Sequence, residues 1–188
     1  DVQLPGMLHG RVVRSTVAHA RVTAVDTSAA LQVPGVRAVV TRADAPKLAI
    51  GTYQPLFDDT VRFIGQEVAA VAATTEEAAF EAAALVRVHY EPLPEVTALQ
   101  KALEPGAPQL HRKAPGNLAW EVRDDKGDPD RAFAESELVV EGSYATNPSH
   151  NCYAEFHVAV ADFSNAAKLT MWTPTQTALL YQKSIARA

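Results

Sequence analysis

Alternating apolar and polar residues, rich in β-branched side chains, mark short strands in the first half of the chain. This pattern is typical of strands that bury one face. The strands predicted in this way cover residues 8–14, 21–26, 36–40, 61–64, 68–72 and 86–90. We expect a short helix over 27–31, ended by Pro34 and Gly35. We also expect strands 61–64 and 68–72 to pair through a turn at Gly65.

The clearest helix signal lies between the last two of these strands, over residues 75–85. Thr74, followed three residues later by Glu77, predicts a capping box, and both Glu76 and Glu77 suit the positive end of a helix dipole. The alanines of this segment permit close packing on a sheet. A strand–helix–strand order with mixed hairpins predicts an α+β (mixed α/β) block over residues 1–92.

A proline-rich stretch follows this first block. Six prolines fall between residues 91 and 130, leaving room for one short helix over 98–103. The pattern predicts an extended connector over 93–129, longer than an ordinary loop. We expect it to wrap the surface of another domain or subunit.

The second block covers residues 130–188 and resumes regular patterning. A helical turn is expected at 131–135, strands at 138–144, 156–162 and 168–172, and a helix at 176–187. Residues 162–165 have the composition of a hairpin turn between the last two strands. Three strands and one helix make a thin core, so this block is expected to be the incomplete start of a domain.

Composition and charge narrow the class of protein. The chain has 188 residues, 47% of them apolar, and 22 acidic against 17 basic residues give a net charge of −5. Without a dense basic cluster, nucleic-acid binding is disfavoured. No apolar run approaches the roughly 18–20 residues that cross a bilayer, and the first residues lack a signal-peptide pattern. We therefore expect a cytoplasmic protein without a membrane span, with a periplasmic location as the alternative.

Common catalytic and metal-binding motifs are missing from the sequence. The six histidines have no zinc-type spacing, and His89 alternates with apolar neighbours as a strand residue does. There is no nucleophile elbow and no glycine-rich phosphate loop. The single cysteine, Cys152, excludes an internal disulfide and cannot alone hold zinc or an iron–sulfur cluster. We expect it to be a small buried apolar residue.

Two polar residues are the candidate site residues. Gln176 follows a predicted strand and opens a predicted helix, a position at which α/β proteins present groups to ligands. Its amide can donate a hydrogen bond to an oxo or carbonyl oxygen without adding charge, although polar residues at helix starts are also frequent caps. Glu155 is a carboxylate in a predicted apolar strand. It is either a general acid/base or a paired structural carboxylate.

Several stretches, in a fixed order, resemble one known enzyme family. They are residues 1–10 (DVQLPGMLHG), 14–21 (RSTVAHAR), 34–41 (PGVRAVVT), 61–71 (VRFIGQEVAAV), 88–94 (VHYEPLP), 127–128 (GD), the segment around Glu155, and 172–176 (WTPTQ). In order and approximate spacing they resemble the large, molybdenum-cofactor-binding subunit of the xanthine dehydrogenase/aldehyde oxidase family. The resemblance covers essentially the whole chain, and the ordered set gives it its specificity.

The resemblance implies a role for each part of the chain. Residues 1–92 would be the α/β hammerhead domain, and 130–188 the start of the molybdenum-cofactor-binding region. Gln176 matches a glutamine close to the molybdenum's oxo ligand, and Glu155 matches a position that the family often fills with Glu. No catalytic residue and no metal ligand is expected within these residues, since the family's general base would lie beyond Ala188. We therefore expect a fragment or a split subunit.

The resemblance also implies a function and partners. The enzyme would oxidise an aldehyde or an aromatic N-heterocycle with oxygen derived from water, using a molybdenum–pterin cofactor. Electrons would pass to [2Fe–2S] clusters and FAD on other domains or subunits. The partners would be the remainder of the large subunit, an iron–sulfur subunit and a flavin subunit in a hetero-oligomer, a dimer of heterotrimers being one arrangement.

Alternatives to this function stay open at the level of sequence. These residues alone are expected to be inactive. Some relatives run a reductive variant on aromatic thioesters. A non-catalytic assembly or docking module is the alternative from another class, whereas the incomplete second block disfavours an independent small binding protein. Residues 149–153 (SHNCY) are the local candidate for lining a substrate pocket.

Overall fold

The computed structural model describes residues 2–45, 49–50, 54–124, 126–147 and 149–187. The strands are β1 (His9–Arg14), β2 (Ala20–Asp26), β3 (Val36–Val40), β4 (Ala49–Ile50), β5 (Gln54–Pro55), β6 (Thr60–Val61), β7 (Glu67–Ala73), β8 (Arg87–Pro92), β9 (Val160–Asn165) and β10 (Lys168–Trp172). The helices are α1 (Glu76–Leu85), α2 (Leu99–Ala102), α3 (Pro129–Glu135) and α4 (Ala178–Ile185), and short 3-10 turns cover Ala30–Gln32 and Pro115–Asn117. This mixture of helices and antiparallel sheets confirms the predicted α+β class.

The chain divides into two units, which are described separately. The first unit comprises Asp1–Ala119 with Leu179–Ala188, and the second comprises Trp120–Ala178. Among the described residues, none of the helices has the length and apolar character that a bilayer crossing requires.

The core of the first unit lies between α1 and a three-stranded antiparallel sheet of order β1-β7-β3. Three alanines of α1, at positions 78, 79 and 82, are buried against Val71 and Ala73 of the central strand. Small side chains on the buried face let the helix backbone approach the sheet closely. The predicted helix 75–85 and strand 36–40 are thus confirmed almost to the residue.

Helix α1 is capped one residue later than the sequence suggested. The Thr75 hydroxyl accepts a hydrogen bond of 3.1 Å from the backbone nitrogen of Ala78, so the capping box between Thr74 and Glu77 was wrong. Thr74 instead donates its backbone N–H to the carbonyl oxygen of Gly35, at 2.9 Å. This bond joins the end of β7 to the turn before β3. The short helix expected at 27–31 forms only as a 3-10 turn at Ala30–Gln32.

The second sheet has the order β6-β2-β8, which corrects the predicted pairing of 61–64 with 68–72. β6 is only two residues long and pairs with β2, whereas β7 pairs with β1 and β3. The reason is the side chain of Gln66, which is fully buried. It accepts a hydrogen bond from the backbone N–H of Arg62 at 2.7 Å and donates one to the carbonyl of Thr60 at 3.2 Å, so the chain turns directly after Val61.

The first part of the connector packs on the first unit. The backbone N–H of Leu93 donates to the carbonyl of His19 at 3.0 Å, and Nδ1 of His19 contacts the carbonyl oxygen of Pro94. Asn117 then holds the connector together: its amide donates to the carbonyls of Ala102 and Pro108, both at 2.9 Å. Contact of residues 93–129 with another domain or subunit stays a prediction.

The second unit contains α3 and the hairpin β9–β10. The hairpin confirms the strand predicted at 168–172, but β9 begins at Val160 and runs to Asn165, so residues 162–165 belong to a strand and the turn follows them. The strand predicted at 138–144 is wrong, because these residues form no strand in the described chain. A strand needs a neighbour to satisfy its backbone, and the described residues offer this segment none. Helix α4, which belongs to the first unit from Leu179 onward, is shorter than the predicted helix 176–187 and covers Ala178–Ile185.

Candidate functional site

Gln176 lies in a bend between β10 and α4, which confirms the predicted strand-to-helix junction. Its side chain is exposed. Within the described residues, the carboxamide makes no hydrogen bond. Both its donor and its acceptor are consequently available to a group from outside these residues.

The threonines on either side of Gln176 are engaged locally. The Thr173 hydroxyl donates to the carbonyl oxygen of Val158 at 3.1 Å, and the Thr175 hydroxyl accepts from the backbone N–H of Thr177 at 3.1 Å. The first bond ties the end of β10 to the segment before β9, and the second fixes the turn into α4. Gln176 therefore projects from a backbone that its neighbours define.

Glu155 lies in a bend rather than in a strand, which corrects the sequence interpretation. β9 starts only at Val160, so the alternation around residue 155 is not part of a ladder. The carboxylate is exposed, and within the described chain it takes part in no ion pair or hydrogen bond. The structure therefore does not support a paired structural carboxylate among these residues.

A cluster of aromatic rings surrounds Tyr153, in the segment predicted to line a pocket. The hydroxyl of Tyr153 is 2.6 Å from Nε2 of His157, and the two rings meet edge to face with centroids 4.8 Å apart. The His150 ring also contacts Tyr153, with a centroid distance of 5.7 Å. Sequence reasoning missed this grouping because it tested the spacing of His150 and His157 only for metal ligands, not for contact through the tyrosine between them.

Cys152 is exposed, so its prediction as a buried apolar residue was wrong. Its backbone has φ +47°, and its N–H donates to Nδ1 of His150 at 2.9 Å. This left-handed turn carries the chain between His150 and Tyr153 and leaves residue 152 at the surface. His89, by contrast, is a strand residue as predicted. It lies in β8, where it pairs with Ala24 of β2.

The segment around Gln176 offers neutral hydrogen-bonding groups. Residues 172–177 (WTPTQT) contain no charged side chain. Amide and hydroxyl groups of this kind can orient an oxygen-rich ligand without an ion pair. Over the described part of the chain, no three side chains of His, Cys, Asp or Glu come together as metal ligands would.

The titration of one carboxyl in the hairpin is shifted. Hydrogen bonds from the backbone N–H and from the hydroxyl of Ser164 hold the pKa of Asp162 below its ordinary value. The backbone N–H to carboxylate distance is 2.8 Å. The carboxylate form therefore stabilises the backbone of β9 between Asp162 and Ser164.

Comparison with known proteins gives a consistent result over both units. Residues 1–94 match the sequence profile of the a/b hammerhead domain of aldehyde oxidase and xanthine dehydrogenase, and residues 110–188 match that of the molybdopterin cofactor-binding domain. The chain is 37% identical over 181 residues to a probable xanthine dehydrogenase subunit of Bacillus subtilis, covering 94% of this chain and 24% of the relative. It is also 37% identical over 195 residues to the carbon monoxide dehydrogenase large chain of Afipia carboxidovorans, covering 92% of this chain and 24% of that one.

The fold agrees with these matches. Reconstituted CO dehydrogenase from Oligotropha carboxidovorans superposes with a TM-score of 0.85 at 34% identity, over 99% of this chain and 26% of the compared chain. The chain thus spans about a quarter of the length of these relatives. It belongs to the aldehyde oxidase and xanthine dehydrogenase family of molybdenum-dependent oxidoreductases, and it carries that family's hammerhead domain and molybdopterin-binding sequence.

Proposed function

We propose that this chain forms part of the large subunit of a molybdenum hydroxylase that oxidises an aldehyde or an aromatic N-heterocycle with oxygen from water. The supporting observation is the exposed carboxamide of Gln176, which makes no hydrogen bond within the described residues. It lies at a strand-to-helix junction within the residues that match the molybdopterin-binding domain. The molybdenum–pterin cofactor, when bound, supplies the redox chemistry of the reaction.

The residues of the junction fit such a cofactor. Oxo and pterin oxygens accept hydrogen bonds and pterin N–H groups donate them, and the amide of Gln176 can both donate and accept. Thr173 and Thr175, whose hydroxyls are bonded to the backbone, hold the loop from which the amide projects. Gln176 would bind and orient the cofactor through its amide, while the exchange of electrons stays with the cofactor itself.

We assign a supporting role to the segment on the other side of the Thr173 contact. Tyr153, bonded to His157, presents an aromatic edge and a hydroxyl, groups suited to an aromatic or carbonyl substrate. Glu155 is exposed in the same segment and is proposed as a further contact to the cofactor. The general base of the reaction is proposed to lie outside residues 1–188, so these residues alone would not turn over substrate.

We propose the domain division 1–92, 93–129 and 130–188 for the assembled subunit. The profile match over 1–94 supports the first part. The match over 110–188 contains the whole third part but begins within the proposed connector. The remainder of the large subunit, an iron–sulfur subunit carrying [2Fe–2S] and a flavin subunit carrying FAD are the proposed partners. Relatives that are named as a large chain, or as one subunit of a dehydrogenase complex, support a multi-subunit enzyme.

The direct test is purification of the complete enzyme that contains this chain. We expect molybdenum and a pterin in the preparation, and we expect product oxygen to carry the label when turnover is run in ¹⁸O-water with aldehydes and N-heterocycles. A preparation without molybdenum, or a product whose new oxygen comes from O₂, would contradict the proposed function.

The second candidate is a non-catalytic assembly module. It is favoured by the large apolar side chains that the described surface leaves exposed, among them Tyr144, Phe156 and Val140, which are 95%, 88% and 82% accessible. Exposed apolar side chains in such number mark contact surfaces. Substitution of Gln176 distinguishes the two candidate functions. A pure assembly role predicts that the substitution leaves turnover of the assembled enzyme intact.

A further inference from the structure

A cleft of about 430 Å³ opens on the first unit, and none of its lining residues is near Glu155 or Gln176 in sequence. It is lined by β1, by α1 and by β8, together with Thr16. Its apolar lining includes Val13 and Val88, which pack at the margins of both apolar clusters of the unit. The cleft is thus a groove between β1, α1 and β8.

Two strand edges border this groove. In the sheet β1-β7-β3, strand β1 is outermost, and in the described residues it pairs with β7 alone, over His9–Arg14. In the sheet β6-β2-β8, strand β8 is outermost and pairs with β2 alone within that same part of the chain. An outer strand leaves a row of N–H and C=O groups without ladder partners, and proteins cover or block such edges. β1 carries no proline and no bulge before Val13, so it remains able to accept another strand.

The charged side chains that line the groove are both basic, in a chain whose net charge is −5. Arg14 is already neutralised: its Nη1 lies 2.7 Å from Glu67 Oε1 and 2.7 Å from the carbonyl of Gly65. Arg11 instead lies over the ring of Phe80, 5.1 Å from its centroid, and makes no ion pair within the described chain. The groove therefore presents one guanidinium that is held in place and available to a carboxylate.

Apolar surface accompanies this charge. Val12 is 41% exposed and Phe80 60% exposed, although both belong to regular elements of the domain. An extended peptide places alternate side chains on opposite faces, so one residue can reach Arg11 while its second neighbour contacts the apolar wall. A peptide that adds as a strand gains affinity from its backbone hydrogen bonds to the sheet edge. It gains selectivity from the contacts of its alternate side chains.

We propose that this groove binds an extended, acidic peptide segment of another polypeptide, which adds as a fourth strand to the free edge of β1 and places a carboxylate on Arg11. The basic lining selects an acidic occupant, and the unpaired edge selects an extended one. A helix would leave the edge of β1 unpaired, and a basic segment would meet the Arg11 guanidinium with like charge.

Site-specific cross-linking in the complete, assembled enzyme tests this assignment. The photoreactive residue p-benzoylphenylalanine replaces Val12, and mass spectrometry identifies the cross-linked peptide. We expect a segment of another polypeptide of the assembly, with a Glu or Asp within two residues of the cross-link. A cross-link to another part of this chain's own polypeptide would contradict the proposal. Arg11→Glu should lower the yield of that cross-link at least about tenfold, since a charge-assisted contact becomes a repulsive one. Arg37→Glu, an equal change of charge at an exposed position of β3, should leave it unchanged.

Hydrogen exchange of the unmodified enzyme provides a second readout that needs no variant. Amides on both edges of β1 should be protected in the assembled enzyme, as those of the central strand β7 are expected to be. Exchange of the outward amides of β1 at the rate of a free edge would overturn the proposal. So would the absence of a cross-link at position 12, or a cross-link to a helical or uncharged segment.

Discussion

The hydroxyl of Thr173 donates a hydrogen bond of 3.1 Å to the carbonyl oxygen of Val158, a residue 15 positions earlier in the chain. This bond joins the two stretches that carry the candidate site residues, one leading from Glu155 and the other leading to Gln176. Their relative placement in the second unit thus depends on a side chain that sequence patterning treats as an ordinary loop residue.

Replacing Thr173 by Val should loosen this connection. We expect a loss of about 0.5–1.5 kcal/mol in the free energy of unfolding, the usual net contribution of one hydrogen bond, because the Val158 carbonyl loses its donor. Urea unfolding measures the loss. The matched control is Thr170→Val in β10, whose hydroxyl has no bond to another described residue; equal destabilisation by the two variants would show that the Thr173 contact is not special.

Asp58 and Arg62 form a nearly buried ion pair in the first unit, with Nη1 and Oδ2 2.6 Å apart and exposures of 6% and 13%. Asp58→Ala should destabilise the chain by about 3 kcal/mol, because it leaves the Arg62 guanidinium without its nearly buried counter-charge and also removes the partner that Arg42 has at 3.8 Å. The exposed pair Arg131–Glu135, at 2.8 Å, is the control. Glu135→Ala should cost less than about 0.5 kcal/mol.

A double-mutant cycle tests the coupling of this buried pair. Asp58→Ala and Arg62→Met together should cost clearly less than the sum of the single changes, because the second removes the charge stranded by the first. Strict additivity in chemical unfolding would contradict the assignment of Asp58 to Arg62.

Acidification should weaken the β9–β10 hairpin through Asp162. The pKa of this carboxyl is lowered by hydrogen bonds from the backbone and side chain of Ser164, so its contribution is present above the unfolded-state pKa. That contribution is lost as the pH falls through the lower, folded-state pKa. Ser164→Ala should move the Asp162 pKa part of the way back toward its ordinary value in an NMR titration, since the backbone bond remains. An unchanged titration would refute the role of the hydroxyl.

Gly35 should not tolerate a side chain. Its φ is +92°, and a Cβ there would lie 2.6 Å from Oγ1 of Thr74, the residue whose N–H bonds the Gly35 carbonyl. Gly35→Ala should therefore cost about 1–3 kcal/mol in thermal or chemical unfolding. Gly10→Ala is the control, because its φ is not positive and a Cβ there meets no atom within 4 Å. Similar stability of both variants would be inconsistent with this close approach.

The sequence correctly predicted those helices and strands whose boundaries depend on neighbouring residues in the chain. Helix α1 has its acidic first turn and alanine face in the sequence itself, and Val36–Val40 is bounded by Gly35 and a threonine. The pairing of β6 depended on Gln66, a buried amide whose role as a backbone partner has no periodic signature. Residues 138–144 have the pattern of a strand, but pattern alone does not provide a neighbouring strand.

Among the residues of the candidate site, too, some locations were predicted from the sequence and others were not. Gln176 was placed correctly because Pro174 ends a strand and a helical pattern follows, both of which are readable along the chain. Glu155 was misplaced because it lies in a bend and β9 begins only at Val160. Cys152 was misplaced because a left-handed turn leaves it at the surface. The contact of Tyr153 with His157 spans the bend at residues 154 and 155, and such an irregular backbone has no periodic signal in the sequence.

The proposed role of the Gln176 carboxamide at the molybdenum site is tested most directly by comparing Gln176→Ala with Gln182→Ala in the complete enzyme. Gln182 is an exposed amide further along the chain, in α4, and its loss should change neither turnover nor metal content. For Gln176→Ala we expect kcat to fall by about 10–100-fold, the usual effect of removing a group that orients a metal centre, with molybdenum content within about twofold of the parent. Unaltered kcat in Gln176→Ala, with the cofactor fully loaded, would contradict the assignment of this carboxamide to the molybdenum site.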